Sequence, residues 1–143
     1  MSLLLVQAPT GSDSHLFIWS MGDLQPELRR ASPGDAIVYY FNGPGSARYE
    51  HPPTIEDVVA WFPPIGGEPY RYVTLAGWSV GGRAVQRQLD AGSLHHGRLP
   101  DAVLFADALF ARLVHGRVDL APLASVIEFA VRAAAEPGRI FVM

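Results

Sequence analysis

The chain has 143 residues and a formal charge of −3, with 49% hydrophobic and 17% charged residues, which is the size of one domain able to bury its own core. All 11 basic residues are arginine and cysteine is absent, which excludes an ordinary P-loop NTPase, Schiff-base and pyridoxal chemistry, a disulfide framework, a thiol nucleophile and Cys-ligated zinc. The acidic balance argues against nucleic acid, and no apolar run reaches the ~18 residues of a membrane span.

Residues 3–7 form a short apolar run. No basic residue precedes it and no small-residue cleavage site closes it, so it reads as a strand, not a signal peptide. The cytoplasm is the expected compartment. Thr10-Gly11-Ser12-Asp13 separates it from a second run over residues 15–19. The turn Ser32-Pro33-Gly34-Asp35 leads into a β-branched and aromatic strand over 36–41, which empties into Asn42-Gly43-Pro44-Gly45. Thr54 is the expected N-cap of a helix carrying Asp57 in its first turn and apolar Ile55, Val58, Val59 and Phe62. Pro63-Pro64 ends it. Residues 70–76 read as a strand, 77–82 as a tight turn, and 83–89 as a helix stopped at Gly92. The wholly apolar 102–106 reads as a strand covered on both faces. Asp119 is the expected cap of a long helix to Ala135, with Leu120, Leu123, Ile127, Val131 and Ala134 at helical spacing. Pro137-Gly138 stops that helix, and residues 139–143 begin one more strand.

Alternating strands and helices predict a single α/β domain over 1–143, a mostly parallel sheet with helices on both faces. Ligands of such sheets bind at the carboxyl ends of the strands. The loops at Asn42, Ser79 and Asp107 all follow strands, so they are expected at one edge.

Gly77-Trp78-Ser79-Val80-Gly81-Gly82 matches G-x-S-x-G, with an apolar strand before it and a helix after it. A nucleophile elbow needs that context. It holds its serine in a strained turn that throws Oγ clear of the sheet, and it needs small residues two before and two after. A glycine turn that only packs helix on strand, or a weak phosphate-binding turn, would show the same letters. The segment from Pro69 through Gly82 resembles the elbow of α/β-hydrolases, and among them is most similar to thioesterase domains that release acyl or peptidyl chains from carrier proteins. The resemblance covers roughly residues 36–143.

That resemblance implies a serine hydrolase acting through an acyl-serine, with Ser79 as nucleophile and no cofactor or metal. It places the triad acid at the end of the strand after the elbow helix, where Asp107 stands; a cap on the next turn is the structural alternative. It takes one oxyanion amide from Val80 and the other from the loop after the 36–41 strand. Pro44 has no N–H, so Gly43 or Gly45 is the expected donor. It places the catalytic histidine beyond the acid, on a loop after the last strand. His15, His51, His95, His96 and His115 do not match that position. His95-His96 is expected at the opposite edge, and adjacent histidines without a third ligand do not make a metal site. The chain is therefore expected to lack the C-terminal strand and histidine loop. The implied substrate is an acyl ester or thioester, including one bound to a carrier protein; the alternative is a catalytically silent binding or interaction protein using the same cleft. Residues 109–118 are the only stretch suited to a lid.

Overall fold

The computed structural model describes residues 2–8, 15–21, 25–31, 34–43, 46–92, 98–108 and 111–143. In chain order they form β1 (Ser2–Gln7), β2 (His15–Ser20), α1 (Gln25–Ala31), β3 (Ala36–Phe41), α2 (Ile55–Trp61), β4 (Tyr72–Trp78), α3 (Gly82–Asp90), β5 (Ala102–Ala106), β6 (Arg112–Val114), β7 (Arg117–Asp119), α4 (Ala124–Ala135) and β8 (Ile140–Val142). Six strands make one sheet in the order β1-β3-β2-β4-β5-β8. Only β1 runs antiparallel to its neighbour. The expected α/β class, with its mostly parallel sheet, is the observed one.

Strand order fixes where the helices lie. The connection from β2 through α1 to β3 steps one way along the sheet; those through α2, α3 and α4 step the other way. Right-handed crossovers therefore put α1 on one face and α2, α3 and α4 on the other. The side chains agree. Alternation sends Leu16, Ile18, Ala36, Val38, Val73, Leu75 and Val103 to one face, where they pack with Ile55, Val58, Val85, Leu89, Val126 and Phe129 of the three helices. Val6, Trp19 and Ile37 are buried apart from that cluster, and Arg29 of α1 donates to the Val6 carbonyl (2.6 Å).

Local chemistry sets the boundaries. Thr54 and Asp57 form a reciprocal capping box at the start of α2, the arrangement that satisfies two orphan amides at once. The strand expected over 70–76 is shifted: pairing with β2 starts at His15↔Tyr72 and pairing with β5 reaches Trp78↔Ala106. Tyr70 instead buries its ring and donates its hydroxyl to the Phe62 carbonyl (2.8 Å), tying the end of α2 to the approach of β4. Asp119 does cap, but it accepts from the Ala121 N–H (3.0 Å) of a 3₁₀ turn, and α4 starts only at Ala124. Sequence reading had no signal for α1 or for the β6–β7 hairpin. The hairpin turns through His115 (φ 49°) and Gly116 (φ 74°), the two left-handed residues a tight β-hairpin demands.

Candidate active site

The direction of the crossovers reverses between β2 and β4, so the crevice at their carboxyl ends is the topological switch point where open α/β sheets bind ligands. Ser79 follows β4 directly. Four described non-glycine residues have positive φ: Met21 (62°), Ser79 (50°), Asp107 (49°) and His115 (49°). Met21, Ser79 and Asp107 are the first residues after β2, β4 and β5. Gly43, two residues past β3, has φ 80°. Four neighbouring strands thus end in left-handed backbone at one edge. Each non-glycine case costs about 1–2 kcal/mol, and such strain gathers where the backbone must present something.

The glycines around Ser79 are required by space. A Cβ on Gly77 would lie 2.7 Å from the Gly82 nitrogen and 2.8 Å from the Gly81 carbonyl. One on Gly81 would overlap the Ser20 carbonyl and stand 2.7 Å from the Met21 Cβ. One on Gly82 would overlap the Ala108 carbonyl and stand 2.5 Å from its Cβ. The elbow is thereby wedged between the ends of β2 and β5. A 3₁₀ turn, Ser79–Gly81, leads into α3, whose first N–H, on Gly82, donates back to the Ser79 and Val80 carbonyls; the positive end of the helix dipole lies at the serine's end.

Trp78 pairs with Ala106, so Ser79 and Asp107 leave adjacent strands, spaced ~4.8 Å, immediately past the same bridge. Asp107 is exposed and Ser79 half-buried. After β3, the Asn42 N–H donates to the Tyr49 hydroxyl (3.2 Å) and the Asn42 side-chain amide donates to the Arg48 carbonyl (2.5 Å). The Tyr49 hydroxyl in turn donates to Met21 Sδ (3.6 Å). Burial pushes the Tyr49 phenol up, while the Asn42 amide and the Arg48 charge pull the other way. These bonds fix the loop and occupy the Asn42 N–H. Gly45 lies outside the described residues. The 3₁₀ turn Ser46–Tyr49 packs against the elbow turn, which brings Met21 and Arg48 to an edge where sequence reading had placed neither.

The described histidines stand elsewhere. His15 opens β2, at the amino edge, where Nδ1–H donates to Asp35 Oδ2 (3.1 Å). On the other side of the ring, Nε2 stands 2.7 Å from the Thr74 hydroxyl, so both ring nitrogens are engaged away from Ser79. His51 sits with Arg87, Asp90 and Ala91 at the far end of α3 from Ser79. His115 is in the hairpin turn. None of the three hydrogen bonds with Ser79 or Asp107, and His95 and His96 lie outside the described residues. No group of three metal-ligating side chains occurs among the described residues.

Beside the site, Glu50 joins the loop to α3. Arg83 Nε donates to Oε1 (2.7 Å) and Arg87 Nε to Oε2 (2.6 Å). Burial raises the Glu50 carboxyl, but the two arginines outweigh it and hold it below the ordinary value. The folded pKa is thus below the unfolded one, so this stabilisation is full above the ordinary glutamate pKa and is lost as pH falls through the folded value. Glu50→Gln is expected to cost about 1–2 kcal/mol at pH 7, as two partly exposed charge-assisted bonds are lost. In urea titrations the gap between variant and wild type should close below about pH 4; a gap constant with pH would show that the ion pairs do not stabilise the fold.

Among solved structures, the chain is similar to YbtT, a type II thioesterase from the yersiniabactin NRPS/PKS biosynthetic pathway, with 18% identity and a TM-score of 0.40. A serine-to-alanine mutant of the same protein gives 17% identity and a TM-score of 0.41. In both cases 89% of this chain is covered and 57% of the other, so the chain spans little more than half the length of those structures. No family model and no curated protein matches. No helix among the described residues is long and apolar enough to cross a membrane.

Proposed function

We propose that this chain is a serine hydrolase of α/β-hydrolase type that cleaves a carboxylic ester or thioester through an acyl-serine. The observation that carries the reading is Ser79 itself: a left-handed serine at the switch point, seated between glycines that admit no side chain. Ser79 Oγ attacks the carbonyl carbon and gives its proton to a base. The N–H groups of Val80 and Gly43 stabilise the oxyanion, where preorganised donors contribute most. The alkoxide or thiolate leaves with the proton, and water then releases the acid from Ser79. Asp107 orients the base. The chemistry needs no cofactor. The substrate is an acyl ester or thioester, including one held on a carrier protein.

The positions of His15, His51 and His115 favour a second reading, a silent member that binds its ligand at the same edge. A fluorophosphonate probe separates the two. The hydrolase should gain one adduct on the peptide containing Ser79, and Ser79→Ala should gain none. An adduct elsewhere, or one insensitive to that replacement, would remove Ser79 from the mechanism. Turnover of a p-nitrophenyl ester, with each of the five histidines replaced in turn, identifies the base.

A further inference from the structure

Most arginines whose side chains the structure describes are engaged. Arg83 and Arg87 bind Glu50, Arg30 binds Glu27, Arg132 binds Glu128, and Arg139 binds Glu136. Arg29 and Arg98 donate to backbone carbonyls, and Arg71 lies over the Tyr72 ring. Among the described side chains, only Arg48 and Arg117 have guanidinium groups without a carboxylate, carbonyl or ring partner. Arg117 is on the exposed hairpin. Arg48 is at the candidate active site.

Its placement there is specific. The Arg48 guanidinium lies over Gly43, with Nη1 2.8 Å from where a Gly43 Cβ would sit and Cζ 3.5 Å from it. Gly43 is the proposed oxyanion donor of its loop, and the turn bearing Arg48 packs on the elbow turn. The nearest acid in sequence, Glu50, is already neutralised by Arg83 and Arg87. Among the described side chains, the edge therefore holds one cation without a bonded carboxylate, exposed, beside the end of a helix whose dipole is also positive, with Asp107 as the described acid of the same edge. A scissile carbonyl alone does not require a full charge outside its oxyanion donors.

We propose that Arg48 reads an anionic group on the substrate. The ester or thioester cleaved at Ser79 then carries a carboxylate on its acyl side or a phosphate on its leaving side. This rests on Ser79 as the nucleophile, and it names the substrate class of that site. Arg48 is a specificity residue, since a planar guanidinium pairs with either anion through two parallel hydrogen bonds.

Three uncleavable amides test it by calorimetry: N-(2-hydroxyethyl)hexanamide, its O-phosphate ester, and the analogue with a terminal carboxylate on the six-carbon acyl chain. One anionic probe should bind about tenfold or more tightly than the neutral one, and which one does so tells acyl-side from leaving-side recognition. The preference should shrink with salt. Arg48→Gln should bring the anionic and neutral probes to the same affinity while keeping the circular dichroism spectrum of the folded chain. Arg48→Lys should retain part of the preference, and Arg117→Gln all of it. Equal affinities, no binding of any probe, or a preference that survives Arg48→Gln overturns the proposal. Failure to label Ser79, with the Arg48-dependent preference intact, overturns the nucleophile and leaves the anion site standing.

Discussion

Gly81→Ala is expected to destabilise the protein by about 3 kcal/mol or more, at the upper end of overpacking substitutions. The new Cβ would occupy the place of the Ser20 carbonyl and stand 2.6 Å from its carbon. Neither obstacle is the flexible end of a side chain; both are backbone of a central strand. Relief requires moving the end of β2 or the whole elbow. Gly66→Ala is the matched comparison. Gly66 has φ 76° but nothing within 4 Å of its Cβ position, so only conformational strain of about 1 kcal/mol is expected there. Urea midpoints at constant m-value measure both. Similar losses at the two positions would mean that the elbow yields easily and that the tight fit at Gly81 has no energetic weight.

Ser79→Gly should have the opposite effect on stability. Ser79 holds φ 50°, a region where glycine pays no Cβ penalty. The replacement is expected to stabilise the fold by about 1 kcal/mol, and to abolish phosphonate labelling completely. Ser79→Ala should abolish labelling as well, yet gain no stability, because alanine keeps the Cβ. Equal stabilisation by alanine and glycine would place the strain in the hydroxyl's surroundings and not in the backbone.

Much of this architecture was legible in the residues because local chemistry and burial pointed the same way. The strands Ala36–Phe41 and Ala102–Ala106 have the predicted ends, since each is an apolar run bounded by turn residues. The helix after Thr54 was announced by its cap. The crowding of Gly77 against Gly81 follows from the elbow pattern, and the geometry adds that Gly81 is also held against Ser20. α1 was not legible because Gln25–Ala31 is mostly polar, with Leu28 as its main apolar residue. The hairpin was missed because its strands have three residues each, too short to show a period of two. Met21 and Arg48 belong to the site through strand pairing and loop packing, which no spacing in the chain encodes. Roles for Ser79, Asp107, Val80 and Gly43 were read from a resemblance and their common edge from the alternation of strands and helices; in the structure the segments bearing them do leave neighbouring strands at one edge.

The wedging of the elbow has a consequence for how the protein acquires the backbone geometry at Ser79. The turn at residues 77–82 is held by residues 20–21 on one side and 108 on the other, segments that meet only when three strands have aligned. A serine with left-handed backbone is unfavourable in an isolated peptide, so the segment cannot rehearse this geometry while the chain is open. Such non-local closure is late and cooperative in assembly. The left-handed conformation of Ser79 thus forms with the completed sheet, and a partly folded chain exposes an ordinary serine.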